Sequence, residues 1–167
     1  MSLASLNQPD TVWRSVSSSE TDTIAWGRHL GERLVGGETL ALVGELGAGK
    51  TRFVQGLAKG LGVDTHRVSS PTFAIRHDHV GRVTLLHLDF YRLRDPAEVE
   101  WLGMLESPDD AVIAVEWADR LPDALPDDRL EIAFTAGPDP DDRSITWTAR
   151  GPRAERALAA LRAAHGG

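Results

Sequence analysis

Cysteine is absent from this chain of 167 residues, which excludes a disulfide framework and thiolate metal sites and suits a reducing compartment. Lysine is almost absent too: the 18 basic residues are arginines apart from Lys50 and Lys59. Asparagine occurs only at Asn7, so the Asn-Lys-x-Asp segment with which GTPases read guanine cannot be assembled. No apolar run approaches the roughly 18 residues that span a bilayer. Residues 1–10 lack the basic and apolar regions of a signal peptide, so a cytoplasmic location away from the membrane is expected. A net charge of −7 argues against broad, unassisted binding to nucleic acid, whose affinity comes largely from cationic contacts to phosphate.

What is present is an ordinary globular composition, with 41% apolar and 26% charged residues. Residues 1–10 are expected to form a disordered N-terminal tail, and residues 11–167 a single domain. Residues 11–16 read as a short strand. Ser17 to Ser19 offer a helix cap, with Asp22 in capping-box spacing after Ser19. That helix is expected to run to Val35 and stop at Gly36-Gly37. Residues 39–43 and 111–115 are nearly unbroken apolar runs, as expected of strands covered on both faces. Phe53, Val54, Leu57, Ala58 and Leu61 recur at helical spacing.

Residues 71–80 and 82–89 read as a hairpin turning near Gly81. His77 and His79, two apart on that hairpin, read as part of a solvated tip rather than as metal ligands. Asp95-Pro96 starts a helix, with Glu98 completing its capping box. Residues 121–128 form a loop, 129–134 and 144–148 two strands, and 154–164 a closing helix. The pattern predicts an α/β fold: a P-loop NTPase-like three-layer sandwich with a mixed central sheet flanked by helices.

Between the first apolar run and the helix after it stands Gly44-Glu45-Leu46-Gly47-Ala48-Gly49-Lys50-Thr51, which satisfies G-x-x-x-x-G-K-[ST] at every specified position. From the chain's own composition, an accidental match has odds of roughly two in a thousand. Glycines let successive backbone N–H groups turn toward a phosphate, and the helix that follows adds its positive end. Lys50 can act as a mobile point charge on the β- and γ-phosphates, a task for which the broad arginine fork is ill suited. The Thr51 hydroxyl is a ligand for Mg²⁺. ATP or ADP with Mg²⁺ is therefore the expected cofactor, held by residues 44–51 and the adjoining Arg52.

An acid ending a neighbouring buried strand usually completes such a site. Glu116 follows one apolar run and Asp89 ends the strand before it, making both candidates for the Mg²⁺ shell or the attacking water. In Ser70-Pro71-Thr72, the Thr72 hydroxyl is a candidate sensor of the γ-phosphate. Trp117 either packs over the site or fills core.

Taken together, the Walker segment, Ser70-Pro71-Thr72-Phe73, His87-Leu88-Asp89-Phe90-Tyr91-Arg92-Leu93 and Glu116-Trp117 resemble the TsaE (YjeE) family in order and spacing, over residues 19–150. The departures are small: Phe90 for a usual leucine, Arg52 for a frequent threonine, Asp119 for a common glutamate. The resemblance implies an ATPase subunit of bacterial tRNA threonylcarbamoyladenosine modification, weak alone and acting on the TsaD and TsaB proteins to reset their complex. Such a subunit would reach tRNA only through those partners. The resemblance assigns phosphate binding to Lys50, Mg²⁺ to Thr51 and Glu116, hydrolysis to Asp89 and a switch role to Thr72, with Arg143 near the nucleotide. Two readings stand beside it. One is a small-molecule P-loop kinase, with Arg76, Arg92 and Arg94 available for a lid. The other is a nucleotide-sensing module without significant turnover.

Overall fold

A computed structural model of the chain describes residues 11–45, 47–64, 66, 75–101, 103 and 105–166. The expected tail, Leu46 and the Ser70-Pro71-Thr72-Phe73 segment lie outside these residues. The strands are β1 (Val12–Ser17), β2 (Thr39–Val43), β3 (Arg76–His79), β4 (Leu85–Asp89), β5 (Val112–Glu116), β6 (Arg129–Ala136) and β7 (Arg143–Arg150). The helices are α1 (Glu20–Gly31), α2 (Lys50–Gly60), α3 (Pro96–Trp101) and α4 (Pro152–Ala164). The strands form one sheet in the order β1-β7-β6-β2-β5-β4-β3. Its centre, β6-β2-β5-β4, is parallel. At the margins β7 and β1 on one side and β3 on the other pair antiparallel, so the sheet is mixed, as the sequence predicts.

The apolar runs are unbroken because both faces of the central strands are covered. Leu40 and Leu42 of β2 pack with α1, α2 and α4, while Ala41 between them packs into the opposite layer. In β5, Val112 and Ala114 face the first layer and Ile113 and Val115 the second. That second layer is thin: α3, two 3₁₀ turns (Ala118–Arg120 and Pro122–Ala124) and the side chains of Phe90, Leu93, Val99, Leu121 and Leu125. Residues 121–128 are thus not wholly loop.

Capping follows the sequence closely. Ser19 Oγ accepts from the Asp22 N–H at 3.1 Å, and Asp22 reaches back one residue further than the box requires, to the Ser18 N–H. At α3, Asp95 accepts from the Ala97 N–H and Glu98 from the Asp95 N–H, the reciprocal pair of a capping box. α1 ends at Gly31 rather than at Val35. The guanidinium of Arg82, remote in sequence, donates to the carbonyls of Gly31 (2.9 Å) and Leu34 (3.2 Å), satisfying acceptors that another turn of helix would have used.

α1 and α2 meet backbone to backbone. Gly27 and Gly31 on one helix face Gly56 and Gly60 on the other. A Cβ at Gly56 would lie 1.9 Å from the Ile24 carbonyl oxygen, and one at Gly27 would lie 2.1 Å from that of Phe53. Both helices begin at the same end of the sheet, beside the carboxyl ends of the parallel strands.

Candidate functional site

β2 ends at Val43 and α2 begins at Lys50, so the glycine-rich segment is the turn between a buried strand and an amphipathic helix. Gly49 caps α2 with φ near +105°, a conformation L side chains rarely adopt, and a Cβ there would come within 3.3 Å of Thr23 Cγ2. Glycine at this position therefore serves both the turn and the close approach of α1. Lys50 is buried. Its Nζ donates to the Gly44 carbonyl and, at 3.0 Å, to that of Glu45, and lies 4.0 Å from the centroid of the Trp117 ring. Burial holds the ammonium below the usual lysine pKa, while Glu116, Asp119 and Asp89 pull it upward.

The two candidate acids come together because β4 and β5 run parallel in register, with Asp89 opposite Glu116. Both are buried. Glu116 Oε1 accepts from the Thr51 hydroxyl at 3.0 Å, joining the sheet to the start of α2. Glu116 Oε2 lies 2.5 Å from Nε2 of His87. Asp89 Oδ1 accepts from the Tyr91 N–H at 2.7 Å, which fixes its carboxylate across the strand end. The donors gathered here are hard oxygens, the type Mg²⁺ takes. Among the described residues no group of three or more His, Asp or Glu side chains would hold a metal unaided.

Arg143 stands at the start of β7 and grips the loop itself. Its guanidinium donates to the carbonyls of Ala48 and Gly47, each at 3.2 Å, and to those of Pro140 and Asp142, each at 2.7 Å. Arg52 points along the exposed side of α2, toward Gln55 and Glu20. Glu45 is exposed and Ala48 packs against the core. Thr72 and Leu46 lie outside the described residues. The loop, the first turns of α1 and α2 and the β6–β7 turn enclose a cleft of about 400 Å³.

Three features in and beside this cleft go beyond the sequence reading, which left open whether Trp117 packs over the site or fills core. Ser19 and Thr23, from the capped start of α1, line it. His87 contacts Glu116; its signal was a histidine in an otherwise apolar strand, two residues before Asp89 and hence on the same face. Trp117 adopts φ of +56°, unusual for a bulky residue, and so lays its ring over Lys50 and 5.0 Å from that of Tyr91. The expected solvated tip at His77 and His79 is corrected: His79 is buried beside the sheet, because β3 pairs directly with β4 and shares its inner face.

The family described as threonylcarbamoyl adenosine biosynthesis protein TsaE matches residues 17–145. A protein of Bacillus subtilis named tRNA threonylcarbamoyladenosine biosynthesis protein TsaE is 43% identical over 145 residues, covering 86% of this chain and 88% of its own. The protein of that name from Treponema pallidum is 39% identical over 134 residues, covering 80% and 98%. The crystal structure of Bacillus subtilis YdiB superposes with a TM-score of 0.74 at 30% identity, covering 93% of this chain and 97% of that one.

Proposed function

The chain belongs to the TsaE family, and from that premise we propose that it is the Mg²⁺-dependent ATPase subunit of tRNA threonylcarbamoyladenosine biosynthesis, acting on TsaB and TsaD. The observation that carries this reading is the bond from Thr51, in the phosphate-loop segment, to Glu116, at the end of the adjoining buried strand. This is the pairing of hydroxyl and acid that metal-assisted phosphoryl transfer uses.

In the proposed cycle the loop N–H groups and the positive end of α2 bind the phosphates. Lys50 exchanges its contacts with the Gly44 and Glu45 carbonyls for β- and γ-phosphate oxygens. Thr51 and Glu116 would hold Mg²⁺, which supplies charge neutralisation across the phosphate oxygens when bound. A water oxygen attacks the γ-phosphorus and the bond to the β–γ bridging oxygen breaks, yielding ADP and inorganic phosphate. Asp89, fixed by the Tyr91 N–H, orients the attacking water. Loss of the γ-phosphate removes a partner from Lys50 and, in this reading, from Thr72, whose segment reports the change to TsaD and TsaB. The acidic balance of the chain accords with contact to tRNA through those partners rather than directly.

The test is ATP turnover by the purified chain with Mg²⁺, alone and with TsaB and TsaD added. Turnover is expected to be slow alone, to rise with the partners, and to fall at least about a hundredfold in Lys50→Ala. Turnover indifferent to the partners but stimulated by a metabolite would replace this reading with a small-molecule kinase. Tight nucleotide binding with no turnover under any condition would replace it with a sensing module.

A further inference from the structure

His87 is wholly buried on β4, and the ATPase reading above gives it no task. Its Nε2 lies 2.5 Å from Glu116 Oε2, while its Nδ1 has no hydrogen-bond partner among the described residues. A buried ring nitrogen without a partner is costly, and an apolar side chain would fill this strand position more cheaply. The cost is tolerated for what Nε2 does. Glu116 has two oxygens and two distinct partners: Oε1 takes the Thr51 hydroxyl and Oε2 takes the imidazole. With both occupied, the carboxylate cannot rotate about its terminal torsion without breaking one of the bonds.

The register of the sheet makes this contact possible. His87 pairs with Ala114, and Glu116 lies two residues along the same face of β5. The small side chain at 114 leaves room for the ring to lean toward the carboxylate.

We propose that His87 is a positioning residue for the magnesium-binding carboxylate, its Nε2–H holding Glu116 so that Oε1 stays turned to Thr51. The inference rests on the nucleotide-site reading above. It assigns His87 the role that hydrogen-bonding partners of metal-ligating carboxylates commonly play. It also fixes the tautomer, with the proton on Nε2 and the lone pair on the unpartnered Nδ1, since an unmet N–H would be the less favourable group to bury.

The experiment compares His87→Gln, whose amide nitrogen reaches the place of Nε2, with His87→Asn, whose amide stops near Nδ1, and with the apolar His87→Leu. Binding of a fluorescent ADP analogue is measured with EDTA and with Mg²⁺. Affinity without Mg²⁺ is expected to be alike in all the variants. The tightening that Mg²⁺ brings is expected to survive in Gln and to fall about tenfold in Asn and Leu. Equal responses from Asn and Gln, or an undiminished response in Leu, would overturn the proposal. Should the Leu variant not fold, the Gln–Asn pair decides.

A long-range ¹H–¹⁵N spectrum of the nucleotide-free chain gives an independent readout: a proton on Nδ1 instead of Nε2 also overturns it. Wild-type binding that is lost in Lys50→Ala keeps the nucleotide-site reading intact even if the His87 variants fail. Absence of wild-type binding sinks both.

Discussion

Arg143 spans two separate pieces of backbone, bonding the glycine-rich loop at Gly47 and Ala48 and the turn before β7 at Pro140 and Asp142. A planar fork of donors can serve both at once, whereas an ammonium on a flexible stem cannot. Arg143→Lys should therefore weaken nucleotide affinity about tenfold, close to the loss in Arg143→Ala, with little change in the urea midpoint of unfolding. Titration with labelled nucleotide checks this, and a lysine variant that binds like wild type would leave the arginine without a loop-holding role. The residue scale is also where the sequence is most and least informative. Residues 44–51 and the acids at the ends of two apolar strands are legible because their chemistry is written in local patterns. The contact between His87 and Glu116 is not, because nothing in either neighbourhood states that β4 and β5 lie side by side with Asp89 opposite Glu116.

At the scale of elements, helix starts were readable from caps, and helix ends less so. α1 stops early where Arg82, remote in sequence, takes the carbonyls of Gly31 and Leu34, a tertiary contact that no local signal carries. The glycines within α1 and α2 weaken each helix in isolation; their reason appears only when the two are packed together. Alanine at Gly56 would place a carbon 1.9 Å from the Ile24 carbonyl oxygen, an overlap that side-chain adjustment cannot relieve. We expect Gly56→Ala to destabilise the fold by about 2–3 kcal/mol or more. Gly47→Ala, with φ near +78° but nothing within 4 Å among the described residues, should cost only about 1 kcal/mol of backbone strain. Urea unfolding of the two variants separates steric from torsional cost, and equal losses would contradict the backbone-contact account.

Across the whole molecule, a mixed sheet could be foreseen, but its order could not: β6 joins the outer side of β2, and β7 and β1 follow, so the β6–β7 turn overhangs the loop. Stability as a whole should depend on pH through histidines held by this arrangement. Burial lowers the pKa of His79, and burial likewise lowers that of His29, aided by His165. With folded values below the ordinary 6.5, the unfolded chain takes up protons first as the medium acidifies. Their contribution is therefore present above about pH 6.5 and lost as pH falls through the folded values. Urea midpoints should drop between about pH 7.5 and 5.5, and His79→Leu should flatten the drop; an unchanged slope in that variant would refute its share.

The glycine seam between α1 and α2 also decides which side of the cleft can give way. With the two helices in contact along their backbones, Ser19 and Thr23 on one and Thr51 on the other travel as a single body. Were the cleft to widen for nucleotide exchange, this wall would act as a fixed jaw. The opening stroke would then fall to the opposite lip, the turn between β6 and β7, with the Arg143 guanidinium as the latch that must be released.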